Sequence, residues 1–178
     1  MSEQNNESLY QSQKALKPKV EDVAREFIEG DSLKNLLDFL AFLKENKMTP
    51  RWQSANSWKV MHKNKSVCYV RLNRNEKSWS LDHSQFTREK WFQGYDKYIA
   101  DDELKEFIWK HINAPRCVGR DCWSYNNKMT ILGKEFDAVC NCWSLSVKNP
   151  DGNTLECEKK FILVIKSFIA DLTVANKA

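Results

Sequence analysis

Six cysteines bring the most reactive side chains to this 178-residue sequence. Four of them, Cys117, Cys122, Cys140 and Cys142, are spaced C-x4-C-x17-C-x-C. If 138–147 is a strand, Cys140 and Cys142 leave the same face of it, because side chains alternate with a period of two. Ser144 and Ser146 continue that face, so the thiol pair sits on a polar surface. A loop carrying Cys117 and Cys122 could fold over it, and four thiolates at about 2.3 Å satisfy tetrahedral Zn²⁺. His111, at the end of the preceding helix, is a substitute ligand. Two other readings stand beside zinc: four unlinked reduced thiols, or a redox site whose thiolates are favoured by Arg116 and Arg120. Cys68 and Cys157 fall on apolar stripes and read as core.

A second chemistry lies in residues 51–90. Nine Lys/Arg against three Asp/Glu give this stretch +6, while the whole chain carries +4. Trp52, Trp58 and Trp79 are interleaved there with Arg51, Lys59, Lys63, Lys65, Arg71, Arg74 and Lys77. Aromatics among cations on a sheet can stack bases and track phosphates. The competing reading is that the Trp side chains are packing mass, since each ring buries a large area. His62 and His83 end neighbouring strands with Asp82 adjacent, but successive strand residues point to opposite faces, so Asp82 is poorly placed to orient His83. No catalytic constellation emerges, and enzyme activity is not expected.

The elements that must position these residues can be read from hydrophobic period. Residues 1–17 are polar and read as a flexible arm; residues 18–178 read as one domain. Val20, Val23, Ala24, Phe27 and Ile28 recur at helical spacing up to Gly30. A second helix, capped by Asp31 or Ser32, carries Leu33, Leu36, Leu37, Leu40 and Leu43, and Pro50 ends it. The period then shortens. Ser57–His62, Ser66–Leu72 and Ser78–Asp82 read as three antiparallel strands. Asp101 caps a helix with Leu104, Phe107, Ile108 and His111 on one side. Strands follow at 128–132 and 138–147, then a turn at 149–152, then a helix with Asn153 and Glu156 as its capping box. The clustered strands predict an α+β fold: a mainly antiparallel sheet of about five strands, packed by N-terminal, middle and C-terminal helices.

The run Cys117…Cys122, then the Thr-Ile-Leu-Gly-Lys-Glu-Phe-Asp-Ala-Val-Cys stretch at 130–140, then Asn-Pro-Asp at 149–151, resembles the C-terminal signature of uncharacterised bacterial proteins from clostridia and their relatives. Leu36-Leu37-Asp38-Phe39-Leu40, Thr49-Pro50-Arg51-Trp52, Ser57–Val60 and Val67–Val70 are similar to those proteins as well, so the resemblance spans about residues 31–172. It implies a shared fold and no defined activity. The family's loop holds a denser Cys cluster than Cys117 and Cys122 provide here. More distantly, a helix followed by a Trp-bearing three-strand meander is similar to small domains of the YdhG and YjbR kinds.

Composition closes off other classes. The five Gly stand at 30, 94, 119, 133 and 152, so neither a GxGxxG nor a GxxxxGK[ST] phosphate loop can be written. The three His make no HExxH. Apolar runs reach only five residues, against about 20 for a membrane span. The N-terminus has no secretory pattern, which makes a cytoplasmic home the expectation. The reading that results is a cytosolic binding module for a small ligand or a protein partner, with a Cys-held zinc and with Trp52, Trp58, Trp79 and Arg71 as contact residues. The alternatives are single-stranded nucleic-acid binding through 51–90 and a thiol redox protein.

Overall fold

The computed structural model describes residues 2–83, 95–111, 127–139 and 145–175. Its elements are α1 (Ser2–Leu16), α2 (Val20–Ala24), α3 (Gly30–Glu45), β1 (Thr49–Ser54), β2 (Ser57–His62), β3 (Lys65–Asn73), β4 (Ser78–Asp82), α4 (Asp102–His111), β5 (Asn127–Ile131), β6 (Lys134–Val139), β7 (Ser146–Lys148) and α5 (Gly152–Ala175). Five strands form one sheet in the order β1-β2-β3-β4-β7, and β5 pairs with β6 as a separate two-stranded sheet. The fold is α+β, with the antiparallel sheet and packed helices expected from the clustered strands.

The chain divides into two compact units where the sequence suggested one domain. The first comprises Met1–Leu81 with Lys148–Asp151, the second Asp82–Val147 with Gly152–Ala178. In the first unit, α2 and α3 bury Val20, Val23, Ala24, Leu36, Phe39 and Leu43; the strands bury Trp58, Val60, Val70, Trp79 and Leu81. The Phe39 and Trp79 rings meet at 5.9 Å between centroids, a distance at which aromatic pairs attract beyond their area. On α3, Leu33, Leu37, Leu40 and Phe42 are half-buried beside this wholly buried stripe.

Three local expectations are corrected. The helix at Val20 ends at Ala24, and residues 25–28 turn through Glu26 N to Val23 O and Ile28 N to Ala24 O bonds. α3 begins at Gly30 itself, which adopts φ +60, so Gly30 starts the second helix. Ser32 is not its cap: the hydroxyl donates to Asn149 Oδ1. Pro50 does not end the helix, since α3 stops at Glu45; it lies in β1, an additional strand. β1 is the sheet edge, where a residue without an N–H is tolerated.

Residues 1–17, expected as an arm, contain α1, and its Gln13 is only 5 % exposed. Its amide is held on both sides. Nε2 donates to Asn56 Oδ1 at 2.9 Å, and Oε1 accepts from Asn56 N at 2.8 Å and from Trp52 Nε1 at 3.4 Å. Asn56 sits at φ +53 in the β1–β2 turn, a conformation Asn tolerates better than most residues. The next hairpin turns through Lys63 and Asn64, both at positive φ as a two-residue type I′ loop requires.

In the second unit, α4 buries Leu104, Phe107 and Ile108, and α5 buries Leu155, Cys157, Phe161, Ile162, Ile165 and Ile169. Asp101 caps α4 as expected, its Oδ1 accepting from Glu103 N at 3.0 Å. The capping box at Asn153 is corrected. Asn153 lies within α5, and its Nδ2 donates to Glu103 Oε1 at 2.9 Å. No helix among the described residues is long and apolar enough to cross a membrane.

Candidate functional site

The sheet of the first unit has two chemically opposite faces, and register fixes which residue belongs to which. Trp52 pairs with Trp58 and Trp58 with Val70; Val60 pairs with Cys68. These side chains share the inner face, where Trp58, Val60, Cys68 and Val70 are at most 1 % exposed. Arg51 pairs with Lys59 and Lys59 with Tyr69, so these three cross three strands in one row on the other face. Arg71 follows two residues after Tyr69 on the same side. Arg51 and Arg71 are exposed; Lys59 and Tyr69 are half-buried.

Two cations of this outer row lie over its aromatic ring. Lys59 Nζ is 5.5 Å and Arg71 Cζ 5.4 Å from the Tyr69 ring centroid. Both lie within the range at which a ring's quadrupole attracts a cation. The thirty residues 46–75 include seven Lys/Arg and no Asp or Glu. One of those seven, Arg74, is paired with Glu26; Arg51, Lys59 and Arg71 belong to the outer row. Cations and an aromatic plane on one sheet face form a surface suited to a negatively charged partner.

This geometry revises the Trp residues chosen from sequence. Trp58 and Trp79 are each 1 % exposed, so neither offers a ring to a ligand. Trp58 is fixed further by its Nε1, which donates to Pro18 O at 2.7 Å. Trp52 is half-buried on the inner-face side of β1, with the Tyr10 ring of α1 at 5.8 Å. Arg71 keeps its place as a surface residue. Arg51, Lys59 and Tyr69 were not singled out as contacts by sequence reasoning. The alternation in β3 already put Tyr69 and Arg71 on one face, but Lys59 and Arg51 join them only through register. A bulge between Val60 and Met61 shifts that register and hides it from simple counting.

The second unit holds a buried polar pair that sequence reasoning also missed. Nε2 of His83 lies 2.8 Å from Oε2 of Glu158, and both side chains are wholly buried. The Phe161 ring meets His83 edge-on at 5.0 Å, and Tyr95 packs edge-on against Phe161 at 6.2 Å. Burial pushes the Tyr95 hydroxyl far above its usual pKa. The strand end is held by His83 N donating to Leu145 O. Nδ1 of His83 and Oε1 of Glu158 have no hydrogen-bond partner among the described residues. A pair sealed this way orders a core and does not touch solvent-borne substrate.

Cys117, Cys122, Cys140 and Cys142, the sequence-based zinc ligands, lie outside the described residues. His111 ends α4, its Nδ1 2.8 Å from Phe107 O. Among the described residues no three His, Cys, Asp or Glu side chains gather as a metal site. Cys68 and Cys157 are buried, as their apolar stripes predict. Burial first, and then the Glu103 carboxylate, push the Cys157 thiol up, away from the reactive thiolate. No family model matches this chain, nor does any curated protein or solved structure.

Proposed function

We propose that this chain is a binding module that takes a negatively charged partner on the outer face of β1–β3. One observation carries the reading: Arg51, Lys59 and Tyr69 stand in register across three strands, with Arg71 beside them and Lys59 and Arg71 over the tyrosine ring. Such a row concentrates positive potential where a partner can reach it, while the opposite face is committed to core. Residues 46–75 contribute seven Lys/Arg and no Asp or Glu to this potential. The test is binding of a soluble polyanion, heparin, to the whole chain at low and rising salt. Affinity that falls with salt and is reduced by Arg51→Gln with Lys59→Gln supports the reading. No affinity at low salt ends it.

A further inference from the structure

We infer that the partner of this face is a single-stranded nucleic acid, with a base seated at Tyr69; the inference rests on the proposed anionic partner. Charge alone would be served by cations on any scaffold. What the outer row adds is an aromatic plane at its centre: Tyr69 lies opposite Lys59 in register, and Arg71 is two residues further along its own strand. Tyr69 is half-buried, so part of the residue remains exposed to solvent. An aromatic ring among cations on a sheet is the arrangement by which such proteins stack unpaired bases, each stack being worth about 1–3 kcal/mol.

The two cations over the ring fit this role. Lys59 Nζ and Arg71 Cζ stand more than 5 Å from the centroid, at the ends of flexible side chains. An arriving base replaces one of them at the ring, and the displaced cation is then beside that nucleotide's phosphate. Arg51, next in the row beyond Lys59, supplies a second phosphate contact one strand spacing away, about 5 Å. A duplex cannot use the ring, because its bases are already stacked on one another. A polyanion without bases uses only the cations.

The experiment measures binding of the whole chain to three probes at about 50 mM salt: a single-stranded oligothymidylate of about twelve nucleotides, a duplex of the same length, and inorganic polyphosphate. The single strand is expected to bind at least about tenfold more tightly than the duplex. Tyr69→Ala should weaken single-strand binding by roughly 5- to 150-fold, the stacking range above expressed as affinity. It should leave polyphosphate binding within about twofold. Tyr69→Phe should retain the wild-type values, and Tyr69→Leu, checked for native circular dichroism, should repeat the loss seen with alanine. Arg51→Gln and Lys59→Gln should weaken both the single strand and polyphosphate. Polyphosphate binding with no single-strand preference, or with equal losses for Tyr69→Ala on both probes, overturns the nucleic-acid inference and leaves the anion-binding face standing. Failure to bind any of the three overturns both.

Discussion

Nε2 of His83, the residue that follows β4, and Oε2 of Glu158, on the second turn of α5, meet at 2.8 Å across 75 residues of sequence, with neither side chain exposed. A buried pair of this kind costs desolvation on both partners, and removing one leaves the other stranded. His83→Ala or Glu158→Ala is therefore expected to lower unfolding free energy by roughly 3–5 kcal/mol. The double change His83→Ala with Glu158→Ala should cost clearly less than the sum of the single changes. Denaturant unfolding of the four proteins measures this as a coupling energy; strictly additive losses would contradict it.

Trp58 and Trp79 make the division between core and recognition measurable. Each is 1 % exposed, and emptying such a site costs about 3–5 kcal/mol. Trp58→Ala and Trp79→Ala should therefore lower stability strongly. Trp58→Phe should also be destabilising, through the lost bond to Pro18 O. In the variants that remain folded, polyanion affinity should be unchanged. Loss of affinity in a fully folded Trp79→Phe protein would return that ring to the binding surface.

Gln13 tests whether α1 belongs to the folded first unit. Its side chain satisfies Asn56 N, Asn56 Oδ1 and Trp52 Nε1 together. Gln13→Ala removes these bonds from half-buried Asn56 and Trp52, at a cost of roughly 1 kcal/mol. Trp emission should shift as Trp52 loses its bond. Unchanged stability and emission would show that the helix contributes nothing to the unit's packing.

A surface cluster joins α4 to α5. Lys160 Nζ lies 3.0 Å from both Asp101 Oδ2 and Glu103 Oε2. The Lys160 hydrogen bond holds the Asp101 carboxyl below its usual pKa. Asn153, and then Lys160, do the same for Glu103. A carboxyl depressed in the folded state binds its proton more readily once unfolded. Its stabilising contribution is therefore present above the ordinary carboxylate range of about 4 and lost as pH falls through the lower folded value. Thermal melts from pH 6 down to pH 2 should show this loss, and Lys160→Met should flatten it. A slope unchanged by Lys160→Met would assign the acid sensitivity elsewhere.

Hydrophobic period located α3, the β2–β4 strands, α4 and α5, because each carries an apolar stripe that must face a core. It missed β1, where Pro50 reads as a breaker and only its edge position makes it acceptable. It also missed the partner of His83. Asp82 is adjacent in sequence, whereas Glu158 lies 75 residues away on the buried side of α5. The candidate surface was half legible. Composition placed the positive charge in 51–90 and alternation placed Tyr69 with Arg71. Cross-strand register, shifted by a bulge at Val60 and Met61, decides that Lys59 and Arg51 complete the row. Of the three Trp singled out by composition, Trp58 and Trp79 serve packing, while Trp52 is half-buried, as is Tyr69 on the outer face.

The central claim, that the outer face of β1–β3 holds an anionic partner through Arg51, Lys59 and Arg71, is tested most directly by the salt dependence of oligothymidylate binding. Two phosphate contacts, from Arg51 and the cation displaced from the Tyr69 ring, predict a plot of log affinity against log salt with a slope of about −1.4, falling in magnitude by about 0.7 for each contact removed by replacement with Gln. Binding that does not vary with salt, or a slope unchanged when all three are replaced, would contradict it.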